Sequence, residues 1–354
     1  MSQNTLTKRK KSLNLGQYSF VLIFAALFLI YFLVSSGNLK WTGVTNILRH
    51  SAIVGLLSFG MALIIITGDI DLSIGAILGC VSSFGCVIAN FMLNNAVSTG
   101  LGVLVTTLFC LVGGTLLGFI NGILIGKVKL PAFIVTLATQ LIFRSVAQYS
   151  SRILDPLLKG GSSNTYRVSN GGIRDAMYNF GNGQILKDSL ALPITGLIFV
   201  VIGILLIYVT TSTKYGKRLY AIGSNVKAAH MAGINVEWTR VSVFTAAGLL
   251  CGIGAVLWIC QQGGVDPATT GVNNEMFGIA ATVLGGIAMS GGKGKLVGVI
   301  FGALSYTIID KIIAALNVDS LVNNSIKGLI LLIAIIIQVA GPQIKTNLSS
   351  RKGK

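Results

Sequence analysis

GLLSFGMALIIITGDIDLSIGAILGCVSSFGCVIANFML, residues 55–93, holds two apolar runs around one polar knot, Thr67 to Ser73. Together with the apolar residues before Gly55, each run approaches the roughly 20 residues that a bilayer-crossing helix needs. The knot carries Asp69 and Asp71, two of only ten acids in 354 residues. Acids are costly in hydrocarbon, so these two need either a position at its edge or partners within it. The stretch reads as two membrane helices joined by a turn near one face, with Asp71 at the start of the second helix. There its carboxylate can accept backbone N–H groups and meet the helix dipole.

The same pattern recurs along the whole chain. Apolar residues make up 53% and charged residues 10%, against about a quarter charged in a soluble domain. No series of ten-residue alternating segments suggests a transmembrane barrel. The fold class is therefore all-α and polytopic, in a single membrane domain over residues 1–354. The net charge of +17 lies in short clusters between apolar runs, as topological signals do, and not on one face as nucleic-acid binding requires. Cys80, Cys86, Cys110, Cys251 and Cys260 sit singly inside apolar segments and read as small buried side chains. His50 and His230 are isolated from other ligand types, so neither metal nor cofactor is expected.

Ten apolar segments span about 18–35, 47–67, 72–93, 101–126, 132–149, 192–210, 241–260, 276–289, 296–316 and 325–340. Lys8, Arg9, Lys10 and Lys11 precede the first, which is longer than a signal-peptide core and lacks an A-x-A site, so it reads as a span. With both basic ends, 1–17 and 341–354, in the cytoplasm, the clusters at Lys127, Lys214–Arg218 and Lys293 fall on that same side. Segments two to five then start from outside and seven to ten from inside, which permits an inverted repeat. Residues 150–191 form an extracytoplasmic loop rich in Gly, Asn and Ser, and 214–238 a long cytoplasmic one.

Few motifs here carry chemistry. SGGKGK, 290–295, lacks the earlier glycine and the Ser or Thr of a phosphate-cradling loop. Scattered serines and two lone histidines make no nucleophile–base pair, so the chain is not expected to be an enzyme. In the inner loop, Ser224 and Asn225 are good N-cap residues, an Ala-rich turn follows, and Gly233 stands where a left-handed end is wanted. That predicts a short capped helix of the kind a membrane subunit presses on a soluble partner. Gly114, Gly118, Gly122 and Gly126 recur every fourth residue, as do Gly248 with Gly252 and Gly298 with Gly302, predicting close helix packing.

Four passages bear a wider likeness: TGDIDLSIG (67–75), KLPAFIVTLATQLIFRSVA (129–147), YGKRLYAIGSNVKAAHMAGI (215–234) and NNEMFGIAATVLGGIAMSGGKGKLVGVIFGAL (273–304). In these the chain resembles the membrane-spanning permease subunits of bacterial ABC importers for sugars, of the ribose and galactoside type. The resemblance implies a bacterial cell-membrane protein that pairs with a second permease copy. It further implies an ATP-binding subunit beneath the pair and a sugar-binding protein above it. The capped helix resembles the coupling helix, which places Ser224, Asn225, Lys227, His230 and Gly233 at the ATPase contact. Asp71 occupies the family's motif position, whereas Asp69 departs from the uncharged residue common there.

Polar groups inside spans remain as candidates for a path or gate: Asp69, Asp71, Ser73, Asn121, Gln140, Arg144 and Glu275. Gln140, Arg144 and Gln148 share one helix face, which either lines a cavity at the dimer axis or bonds to neighbouring helices. Glu275 suits a helix N-terminus. Asp310, Lys311 and Lys327 read as headgroup-facing or snorkelling. Nucleosides, autoinducer furanones and branched-chain amino acids are alternative solutes. An ion-coupled transporter using Asp69 and Asp71 is an alternative mechanism.

Overall fold

The computed structural model describes residues 19–35, 40–157, 166–169, 171–186, 190–316, and, beyond these, 322, 325–329, 332, 333 and 336. The basic ends 1–17 and 341–354, and half of segment 325–340, lie outside the described residues. α1 (Ser19–Val34), α2 (Trp41–Ile66), α3 (Ile74–Asn94), α4 (Thr99–Gly126) and α5 (Ala132–Leu157) come first. α6 (Gly172–Asn182), α7 (Ile194–Ser212), α8 (Lys214–Ser224), α9 (Val226–Met231), α10 (Val236–Gln262), α11 (Asn274–Leu284) and α12 (Leu296–Ala315) follow. Two-residue strands pair Tyr166–Arg167 with Gly264–Val265 and Gln184–Ile185 with Leu192–Pro193.

Uninterrupted apolar runs dictate the long helices, because a backbone in lipid must satisfy its own hydrogen bonds. Pro131 and Pro193 stand just before α5 and α7, where a missing N–H costs nothing. Among the described residues, α2, α3, α4, α7, α10 and α12 are long and apolar enough to cross a membrane. Three further expected segments are helices of other kinds. α1 is apolar with 16 residues, α11 has only 11, and α5 carries Gln140, Arg144 and Gln148 along 26 residues.

α2 and α10 are buried on nearly all sides, while α4 and α7 keep one apolar face exposed, with Leu104, Leu108 and Val112 on the first and Val201, Ile204 and Leu205 on the second. That difference is expected between central and lipid-facing helices. The glycine ridge of α4 forms the most extensive helix pair in the fold, against α10. Gly114 and Gly118 meet Gly248 and Gly252, while Gly122 and Gly126 lie on the backbone at Val241 and Glu237. A Cβ at Gly118 would stand 2.8 Å from the Gly248 Cα. Close backbone approach through small residues is how helices associate in lipid. Gly248→Val is expected to destabilise the fold by about 2 kcal/mol through overpacking. A thermal melt of the purified variant that matched the wild type would count against this packing.

The expected outer loop holds more order than its composition suggested. α5 continues to Leu157, and α6 buries Ile173, Met177 and Gly181 against α4 and α10. These residues recur every fourth position, one face of a helix, but the polar sequence between them masked the period. Asp310 and Lys327 also depart from the reading as headgroup-facing side chains. They pair with each other at 2.7 Å, and the Lys327 side chain is 15% exposed. A neighbouring carboxylate within the protein replaces the water that a snorkelling lysine would seek.

Candidate functional site

The polar knot after α2 starts a buried junction. Gly68 takes a φ of +87°, which lets the chain turn away from the helix at no steric cost. Asp69 then ion-pairs with Arg240, Oδ2 to Nε at 2.9 Å. Asp71 lies fully buried, and its Oδ1 accepts from the Ser73 N–H at 2.7 Å and the Ser73 hydroxyl at 2.6 Å. Ser73 is the N-cap residue of α3, so Asp71 acts on the helix start through one residue instead of gathering several N–H groups. Asn121 of α4 donates to the Ser73 hydroxyl oxygen at 2.8 Å.

The other side of the junction comes from the stretch between α10 and α11. Gly263 ends α10 in the left-handed region, and Asp266 closes a turn by accepting from the Ala268 N–H and the Thr269 hydroxyl, both at 2.8 Å. Gly271, with a φ of +75°, meets Gly75 backbone to backbone, so neither position has room for a side chain. α3 and the start of α11 are thereby brought together inside the protein. Their N-termini are both positive dipole ends, and the buried carboxylates of Asp71 and Glu275 offset that charge.

α5 fastens this crossing. Gln140 donates to Glu275 Oε1 at 3.2 Å, and Arg144 donates to the Thr270 carbonyl and, at 3.4 Å, to the Pro267 carbonyl. Gln140 and Arg144 thus bond to neighbouring elements, whereas Gln148 on the same face is exposed. Of the candidate residues, Asp71, Ser73 and Asn121 form one bonded set, Gln140 and Glu275 a bonded pair, and Arg144 bonds to the carbonyls of Pro267 and Thr270. Asp69 stands apart from these, held by Arg240.

A second candidate surface lies at the capped helix. Asn225 is the N-cap residue of α9, and its side-chain oxygen accepts from the Ala228 N–H at 3.0 Å. Gly233 follows the helix with a φ of +78°, and the Ile234 N–H returns to the Ala229 carbonyl at 3.1 Å. Ala229 packs with Ile222 and Val236 underneath. Ser224, Asn225, Lys227, His230 and Gly233 are all exposed on the other side, and Met231 is 81% exposed. Val226, His230 and Met231 face a groove of about 470 Å³ shared with Val236 and Arg240.

This surface is tied directly to the buried junction. Gly292 donates its N–H to the carbonyl of Ile66, the last residue of α2, at 2.9 Å, and Gly223 of α8 packs on the same carbonyl. Gly291, Gly292 and Gly294 all have positive φ. Gly291 and Gly292 of SGGKGK therefore serve close approach to Gly68, Gly223 and Ser224, a use their spacing did not disclose. Tyr220 donates to the Gly294 carbonyl at 3.0 Å, and Tyr215 and Ser242 share a hydrogen bond at 2.9 Å. Burial raises the pKa of both phenols, the Ser242 bond partly opposing it for Tyr215. Both therefore keep their protons at neutral pH.

Arg240 and Glu237 are the residues that sequence reasoning missed. Glu237 accepts from Lys127 at 3.1 Å and from Lys129 at 3.0 Å, and Lys127 also lies over the Trp238 ring. In the sequence such cations carry only a topological signal. Their acidic partners lie more than a hundred residues away along the chain, and no local spacing links them.

Comparison with known proteins agrees with this architecture. A family model described as "Branched-chain amino acid transport system / permease component" matches residues 43–339. The chain is 35% identical to the ribose import permease protein RbsC of Bacillus subtilis, over 89% of this chain and 91% of that protein. It is 30% identical to the xylose transport system permease protein XylH of Haemophilus influenzae, over 93% of this chain and 98% of that protein. The ribose import permease protein RbsC of Escherichia coli K12 is 29% identical over 82% of this chain and 84% of its own length. No solved structure matches. With a match over most of its length, the chain belongs to the family of permease components of branched-chain amino acid transport systems.

Proposed function

We propose that the chain is the permease subunit of an ATP-binding cassette importer and forms the membrane path for a sugar of the pentose or hexose class. The observation that carries this reading is the near full-length similarity to permeases named for ribose and xylose, both neutral pentoses. A neutral solute needs small and polar walls more than a fixed charge. That suits a junction in which Asp69 and Asp71 already have partners in Arg240 and Ser73. The same pairing tells against Asp69 and Asp71 as a site for a coupling ion.

In this reading the protein has no catalytic site of its own, and a separate subunit hydrolyses ATP. The exposed face of α9 meets that subunit through Asn225, Lys227, His230 and Gly233, with Ser224 beside them. The surface around residues 150–191 receives the solute-loaded binding protein. α5 packs mainly on α3 and α4 and leaves Ile134, Leu137 and Leu141 exposed, a face suited to a second permease copy. Both chain ends lie in the cytoplasm. Ten membrane segments, with α2–α5 repeated in inverted sense by α10, α11, α12 and residues 325–340, complete the arrangement. It is supported by the matching order of a long buried helix, a glycine-bearing stretch and a new helix that starts inside the protein.

The test is reconstitution of the permease with its ATP-binding subunit and binding protein in sealed vesicles. Uptake of ribose or xylose is expected to need ATP and the binding protein. It is also expected to stop when the ATP site of the partner is inactivated. Uptake driven by an ion gradient without ATP would overturn the proposal, and the ligand retained by the binding protein identifies the solute.

A further inference from the structure

We infer that Lys214, Lys217 and Arg218 bind the phosphate of an anionic phospholipid where α7 leaves the membrane. The lipid-facing stripe of α7 runs through Val201, Ile204 and Leu205 to Tyr208, which is 62% exposed. Two turns of helix at most separate this tyrosine from Lys214, because α7 ends at Ser212 and α8 begins at Lys214. Lys214, Lys217 and Arg218 are spaced i, i+3 and i+4, so they share one face of α8, and all three are exposed. The opposite face is anchored, with Gly216, Leu219 and Ile222 buried. Thr213 caps the helix and receives the Gly216 N–H at 3.3 Å.

Among the described residues these three cations have no acidic partner. The acids on this part of the molecule are already engaged, Asp69 by Arg240 and Glu237 by Lys127 and Lys129. An unneutralised basic face thus continues an apolar stripe that ends in a tyrosine. Tyrosine settles at the headgroup level of a bilayer, and basic residues just past a span attract anionic lipids. Arg218 can fork onto two phosphate oxygens, while Lys214 and Lys217 act as point charges. An acidic protein surface could satisfy the same charges. It would not account for the continuity with the hydrocarbon-facing side of α7, and that favours lipid. The inference rests on α7 crossing a membrane and is independent of which solute is carried.

The experiment titrates short-chain phosphatidylglycerol, and in parallel phosphatidylcholine, into the detergent-solubilised permease complex, with bound lipid counted by native mass spectrometry. Each neutralised cation is expected to weaken phosphatidylglycerol binding about fivefold at low salt. Lys214→Gln/Lys217→Gln/Arg218→Gln together should weaken it on the order of a hundredfold. Phosphatidylcholine should bind weakly to both proteins. Raising the salt should weaken phosphatidylglycerol binding to the wild type, a measurement that needs no variant. Unchanged phosphatidylglycerol binding in the triple variant, equal binding of the two lipids, or no effect of salt would each overturn the inference. Loss of the ATP-binding subunit with phosphatidylglycerol binding intact would reassign the patch to a protein contact. Failure of ATP-driven uptake bears on the function proposed above and leaves this result untouched.

Discussion

Asp69→Ala is expected to lower the stability of the purified protein by about 3 kcal/mol, the low end for breaking a buried ion pair. The two side chains are 11% and 26% exposed, and they meet at 2.9 Å. Removing the carboxylate leaves the Arg240 guanidinium without its counter-charge in a mostly dry site, and that uncompensated charge is the main cost. The double variant Asp69→Ala/Arg240→Met should recover most of the loss, because no charge is then stranded. Denaturant titrations in detergent check both. A single variant within 0.5 kcal/mol of the wild type, or a double variant worse than the single, would refute this account of the acid.

Gly233→Val should leave the membrane domain assembled and reduce ATP-driven uptake at least about tenfold. A β-branched residue at a φ of +78° is strained by about 1–3 kcal/mol, and no neighbour crowds the position. The strain is relieved by unwinding the turn that sets α9 against α10. ATPase activity of the partner subunit, no longer tied to solute delivery, is the second readout. Gly233→Asn, a residue that tolerates the left-handed region, should stay close to wild type. Normal uptake by the valine variant would refute α9 as the coupling element, whereas loss of both variants alike would point to contact with the glycine itself.

Local features of these elements were legible in the sequence. The apolar runs disclosed α2, α3, α4, α7, α10 and α12, because membrane helices must satisfy their own backbone. Asn225 and Gly233 disclosed both ends of α9 for reasons contained within a few residues. The four-residue glycine period disclosed that α4 packs closely, though not on what. Pairings over distance were hidden. Neither the bond from Gln140 to Glu275 nor the clasp of Gly292 on Ile66 leaves a mark in sequence spacing. α6 and α8 were missed because their apolar faces are short and interrupted by polar residues, too little for a hydropathy reading. Asp71 illustrates the boundary, since its part in starting α3 was visible, while its full burial depended on elements about 200 residues away.

The glycine contact between α4 and α10 also sets an order of events in biosynthesis. α4 enters the membrane well before α10 has been made, and the chain from Gly118 to Gly248 takes on the order of ten seconds to synthesise. Throughout that interval the grooved side of α4 lacks its counterpart and must be screened by lipid or by the insertion machinery. α3 and α5 can pack on α4 first, but the tightest joint in the molecule closes only when the second half arrives. The nascent protein therefore passes through a long-lived, half-built stage whose vulnerable surface is a strip of four glycines.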